Sequence, residues 1–127
     1  MGELIHLYGE TDGVNTTGTF TLNCDRFASG VNMILVPKGV KAKVWCKRIS
    51  GSPVSVVIKY TSNAMSTPIN WVTLSNEFLQ SPGELILEKR RPIVILGSTG
   101  TEAIQVDWSQ QTAAKSYVEL EVELTED

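Results

Sequence analysis

The residues able to do chemistry are few and scattered. His6 is the single histidine of the chain, so any Ser-His-Asp or Cys-His relay would have to use it. No Gly-x-Ser-x-Gly turn accompanies it, and its alternating surroundings read as a strand residue facing solvent or a polar partner. Cys24 and Cys46 plus one histidine fall short of the spaced four-ligand set that zinc requires. Gly97-Ser98-Thr99-Gly100-Thr101 has the small residues of a phosphate loop but lacks the Gly-Lys-Ser/Thr ending and the helix that follows one. A tight hairpin turn is expected there. Asp12-Gly13-Val14-Asn15 resembles a fragment of a calcium loop without the spaced acids or the closing bidentate Glu. Glu102 and Asp107 straddle one strand candidate, whereas a glycosidase pair must flank a cleft. The expectation is that no catalytic residue, cofactor or metal is used, and that the protein is not an enzyme.

The aromatic residues suggest binding. Trp45 lies between Val44 and Cys46, on the face of its segment that carries Lys41, Lys43 and Lys47. Strict alternation would expose it, and an exposed Trp stacks on sugar rings or anchors protein contacts. Trp71 follows a loop containing Met65 and Pro68. Trp45 and Trp71 together would form the platform of a carbohydrate-binding module, with the core-filling role usual for Trp as the bland reading.

The elements that must position these groups are legible from periodicity. In 117–124, Val118, Leu120, Val122 and Leu124 alternate with Glu119, Glu121 and Glu123, and a period of two marks a strand with one buried and one wet face. Strands are predicted at residues 4–8, 17–23, 32–36, 40–49, 54–61, 70–75, 84–88, 92–96, 103–108 and 116–124. Turn-formers separate them, including Asp12-Gly13, Pro37-Lys38-Gly39, Gly51-Ser52-Pro53 and Ser81-Pro82-Gly83. One short helix candidate, 76–80, follows Ser75 as a cap, with a single turn as the equal alternative. Close spacing of eight to ten short strands predicts one all-β domain over 1–127, an antiparallel β-sandwich of jelly-roll or immunoglobulin-like kind. Core faces are expected from Phe20 and Leu22; from Val40, Ala42, Val44 and Cys46; from Val54, Val56, Ile58 and Tyr60; from Ile104, Val106 and Trp108; and from 118–124.

Composition narrows the class. At 127 residues the chain can build a two-layer core without disulfide or metal support. Runs such as Ile93-Val94-Ile95-Leu96 are far too short to span a bilayer. No signal peptide is visible in Met1-Gly2-Glu3-Leu4-Ile5-His6, so a cytoplasmic location and two unbonded, buried thiols are expected.

Charge is sorted along the chain. Residues 1–25 hold four acids and no base, 26–76 hold seven bases and no acid, and 77–127 hold ten acids against four bases. One reading pairs acidic and basic strands as neighbours in a sheet. A second makes the lysine-bearing face (Lys41, Lys43, Trp45, Lys47) and the acidic strand (Glu119, Glu121, Glu123) complementary contact surfaces of a homo-oligomer or of a complex with other proteins. Nucleic acid is disfavoured by the net charge of −3 and by the absence of RNA-recognition aromatics.

In general character the chain resembles small β-sandwich virion proteins, such as phage capsid-decoration and head or tail components. The features that carry this are the Pro37-Lys38-Gly39 and Ser81-Pro82-Gly83 turns and the clean terminal strand. The resemblance implies a structural role in assembly and a location in the virion.

Overall fold

A computed structural model describes residues 3–24, 30–78, 85–86 and 93–126. Among these residues ten strands form: β1 (Glu3–Glu10), β2 (Thr17–Thr19), β3 (Ile34–Leu35), β4 (Val40–Gly51), β5 (Ser55–Thr61), β6 (Val72–Phe78), β7 (Leu85–Ile86), β8 (Ile93–Leu96), β9 (Ala103–Ser109) and β10 (Ser116–Glu126). There is no helix among the described residues. The helix or turn candidate at 76–80 is corrected as far as Phe78, which belongs to β6; residues 79–80 lie outside the described residues. The reason is pairing: Ser55, Val56 and Val57 stand opposite Phe78, Glu77 and Asn76, and that ladder outweighs a weak local helix signal.

Among the described residues all pairings are antiparallel, and the strands make two sheets. In the first, the order is β1-β10-β4, with β8 and β7 lying end to end along the far side of β4. In the second, β2 and β3 lie end to end along β9, followed by β5 and β6. Neighbours in space are distant in sequence, so almost every pairing closes a long loop.

The core forms between the sheets, as the two-residue period requires. Ile5, Leu7, Ala42, Val44, Cys46, Ile49, Val118, Leu120 and Val122 from the first sheet meet Phe20, Val56, Ile58, Ile104, Val106 and Trp108 from the second side. Phe20 and Trp108 pack with tilted rings, their centroids 6.3 Å apart. Val40, Tyr60 and Leu124, expected inside, are half-buried. Cys24 and Cys46 are buried thiols with no disulfide between them.

A bulge in β4 explains a core residue that plain alternation misses. Leu120 pairs with Cys46 but Glu119 pairs with Arg48, leaving Lys47 as the extra residue. An inserted residue reverses which face the following side chains occupy. Arg48 therefore points outward with Glu119, and Ile49 enters the core at 0% exposure.

Gly39 terminates the turn before β4 with φ of +82°, a backbone region that glycine enters without a Cβ penalty. It allows the Gly39 N–H to donate to the Gly97 carbonyl while the Gly97 N–H donates to Val40, both at 2.8 Å.

Candidate functional site

The outward face of the first sheet gathers all seven residues of the proposed contact surfaces. β4 and β10 are adjacent strands, so Glu123 stands opposite Lys43, Glu121 opposite Trp45 and Glu119 opposite Arg48. β1 extends each row with Leu4, His6 and Tyr8 respectively. The basic and acidic strands are therefore neighbouring stripes of one face rather than separate flanks. Lys47 Nζ lies 3.6 Å from Glu121 Oε1, Arg48 3.9 Å from Glu119 Oε1, and His6 Nε2 3.6 Å from Glu119 Oε2. Lys41, Lys43 and Glu123 take part in none of the ion pairs among the described residues.

Trp45 corrects the expectation of exposure: it is only 5% exposed. Alternation does place it on the outward face, opposite Glu121, and outside the core cluster. However, β4 is an interior strand flanked by β10 and by the β7/β8 lane, so a large ring there has neighbours on both sides. Period two fixes which face a side chain takes, not whether that face is covered. Trp71 is half-buried and precedes β6 in the second sheet. The structure does not bring the two tryptophans to one platform, since Trp45 is on β4 of the first sheet and Trp71 adjoins β6 of the second.

Large apolar side chains border the charged stripes, a feature sequence reasoning missed. Leu4 and Tyr8 on β1, Tyr117 at the end of the acidic stripe on β10, and Val94 and Leu96 on β8 are each roughly half exposed. Register assigns all five to this outward face: Leu4 and Tyr8 lie opposite Glu123 and Glu119, Tyr117 opposite Ser50, Val94 opposite Lys43 and Leu96 opposite Lys41. The signal was present in each segment, but only strand order shows that three segments share a face.

The Gly97–Thr101 segment is the expected turn, and its amides do bind an anion, namely the chain's own Glu102. Ser98 N–H donates to Oε2 at 2.9 Å and Gly100 N–H to Oε1 at 3.0 Å, with Thr99 N–H shared between the two oxygens. Glu102 is 4% exposed. Burial alone would raise its pKa, but hydrogen bonds from its own N–H and those of Ser98, Thr99 and Gly100 hold it below the usual range. Asp12 closes its own turn in the same way, accepting from the Val14 and Asn15 N–H groups at 2.8 Å. Those backbone bonds, then the Asn15 side chain, lower its pKa.

The outward face of the second sheet carries a shallow depression of about 530 Å³. At its floor Lys59 Nζ meets Asp107 Oδ2 at 2.6 Å. Thr19 and Gln105 donate to Asp107 Oδ1 at 2.7 and 2.8 Å. Burial raises the Asp107 pKa, while bonds from Lys59, Thr19 and Gln105 outweigh it and hold the carboxyl low. Glu102 and Asp107 thus have separate partners and form no catalytic pair. Among the described residues, no group of three or more His, Cys, Asp or Glu side chains converges as a metal site. No helix among them is long and apolar enough to cross a membrane.

No protein-family model matches the chain, and no curated protein does. Among solved structures the chain is similar to several at very low identity. The structure of the infectious bursal disease virus Gx strain is 9% identical, with TM-score 0.49, over 99% of this chain and 32% of that chain. The structure of the Gt strain of that virus is 11% identical, with TM-score 0.44, over 97% and 32%. The Glycosylation Associate Protein (Gap123) complex from Streptococcus agalactiae is 10% identical, with TM-score 0.41, over 99% and 22%. This chain therefore spans about a third or less of the length of the chains to which it is similar.

Proposed function

We propose that the protein is a non-catalytic assembly subunit, and that the outward face of the first sheet is where another protein subunit docks. The observation that carries this is the gathering of Leu4, Tyr8, Tyr117, Val94 and Leu96, all substantially exposed, around a striped centre of opposite charges. Exposed apolar side chains concentrated on one face mark contact surfaces, and complementary charge sets orientation and selects partners.

The stripe pattern is self-complementary. Two copies placed face to face about a two-fold axis bring β4 of one over β10 of the other, twice, which is the reciprocity an isologous dimer requires. Lys41, Lys43 and Glu123 are the charges left to pair across such a contact.

The narrower reading is a virion component of the capsid-decoration, head or tail kind, built as one jelly-roll domain over 1–127. Its support is the strand order, in which β1-β10-β4-β8 faces β2-β9-β5-β6, the interleaving that two Greek keys produce when folded over each other.

Light scattering over a concentration and salt series tests the reading. The expected result is a discrete oligomer that loosens with salt, because screening weakens exposed charge pairs. A monomer at every concentration that also fails to co-sediment with capsids overturns it.

A further inference from the structure

From the depression on the second sheet, the geometry points to a second binding site, one that takes the adjacent hydroxyl groups of a saccharide. It lies on the opposite sheet from the assembly face and stands independently of that reading. Its centre is the Lys59–Asp107 pair, whose side chains keep 30% and 21% exposure.

The hydrogen-bond capacity of this pair is only partly used. Asp107 Oδ1 already accepts two bonds, from Thr19 and Gln105, whereas Oδ2 accepts Lys59 alone among the described residues. A carboxylate oxygen offers two lone pairs and an ammonium three donors. One acceptor site on Oδ2 and two donors on Nζ therefore remain, side by side at 2.6 Å. Two neighbouring hydroxyls match that arrangement: one donates to Oδ2 and the other accepts from Nζ.

Charge decides against other ligand classes. The ammonium and carboxylate neutralise each other, so the depression has no net attraction for a phosphate or a cation. Its walls add hydroxyls from Thr17, Thr73 and Ser109, none of which has a hydrogen-bond partner among the described residues, and its floor includes Val57. Neutral hydroxyls beside one aliphatic patch suit a sugar ring, which is polar at its rim and apolar on its C–H face. Thr19 and Gln105 fix the Asp107 carboxylate in advance, so little order is lost on binding.

The test titrates methyl glycosides of glucose, galactose, mannose, fucose and N-acetylglucosamine into isotopically labelled protein and follows backbone amide resonances. Saturable shifts centred on Thr17, Lys59, Thr73 and Asp107 are expected for at least one glycoside. Asp107→Asn should weaken that binding at least tenfold. Because Asp107 also ties strands together, the double variant Thr17→Val, Thr73→Val provides a second arm: it leaves the Lys59–Asp107 pair and the strands in place and should also weaken binding severalfold. No saturable shift with any glycoside overturns the proposal. So does binding that maps elsewhere, or that survives unchanged in both variants.

Discussion

Lys47 Nζ and Glu121 Oε1 stand 3.6 Å apart across the β4–β10 pair, although one comes from the basic middle of the chain and the other from its acidic end. The bulge that makes Lys47 an extra residue in β4 brings its ammonium to a carboxylate whose side chain is only 12% exposed. Sorting of charge along the sequence is thus converted into cross-strand pairing within one molecule.

That pairing has a measurable consequence. Lys47→Glu sets a second acid against Glu121 and should lower stability by about 1 kcal/mol, the upper range for surface pairs. Adding Glu121→Lys to the same chain should restore most of the loss, since the pair is then reversed in sign. Urea midpoints of the two single variants and the double variant close the cycle. Additive losses would mean that the two side chains do not interact.

Glu102 and Asp107 are both expected to contribute to the acid limb of stability. Its folded pKa lies below the ordinary 4.5, and that of Asp107 below the ordinary 3.8. A depressed carboxylate contributes stability in full above its unfolded value and loses it as pH falls through the folded one. Urea midpoints should therefore stay level from about pH 7 to about pH 5 and fall below about pH 4. Glu102→Gln replaces one acceptor oxygen with a donor facing the Ser98, Thr99 and Gly100 N–H groups. It should cost about 2 kcal/mol at neutral pH and flatten the acid limb. An unchanged midpoint at neutral pH would show that the turn holds without the carboxylate.

How far the sequence announces this architecture depends on the range of the signal. Val118, Leu120 and Val122 alternate locally, and all are buried as periodicity requires. Ile49 and Trp45 were not readable in the same way. The burial of Ile49 depends on a bulge opposite Glu119 and Leu120, and that of Trp45 on strands that flank β4 from distant parts of the chain. The Lys59–Asp107 depression needed the pairing of β5 with β9, and nothing within either segment encodes it. Local patterning gave the strands, whereas lateral order and covering are tertiary properties.

Two glycines separate steric tolerance from backbone conflict. A Cβ on Gly18 would sit 2.7 Å from Trp108 Cζ2, so Gly18→Ala overpacks an indole that can shift slightly. It should cost about 1–3 kcal/mol and change the Trp fluorescence. A Cβ on Gly97 would meet the Pro37 carbonyl group, its carbon at 2.8 Å, and that backbone is held by the paired Gly39 and Val40 bonds. Gly97→Ala should therefore be the more damaging of the two in thermal unfolding. The reverse order would indicate that the turn moves more freely than the core indole.

The assembly reading makes the outward face of the first sheet respond differently to apolar and to charged substitutions. Tyr117→Ser and Leu4→Ser remove exposed apolar surface and no core contact, so each should change monomer stability by less than about 0.5 kcal/mol. Both should reduce association at all salt concentrations. Lys41→Glu combined with Lys43→Glu disturbs no ion pair among the described residues, yet it places acid where the acidic stripe of a second copy would lie. That variant should dissociate most strongly at low salt and recover partly as salt screens the repulsion. Sedimentation velocity on the three variants, beside urea unfolding of each, separates the contributions. If association survives both the apolar and the charged changes while folding is intact, copies meet through another surface and the face-to-face arrangement is wrong.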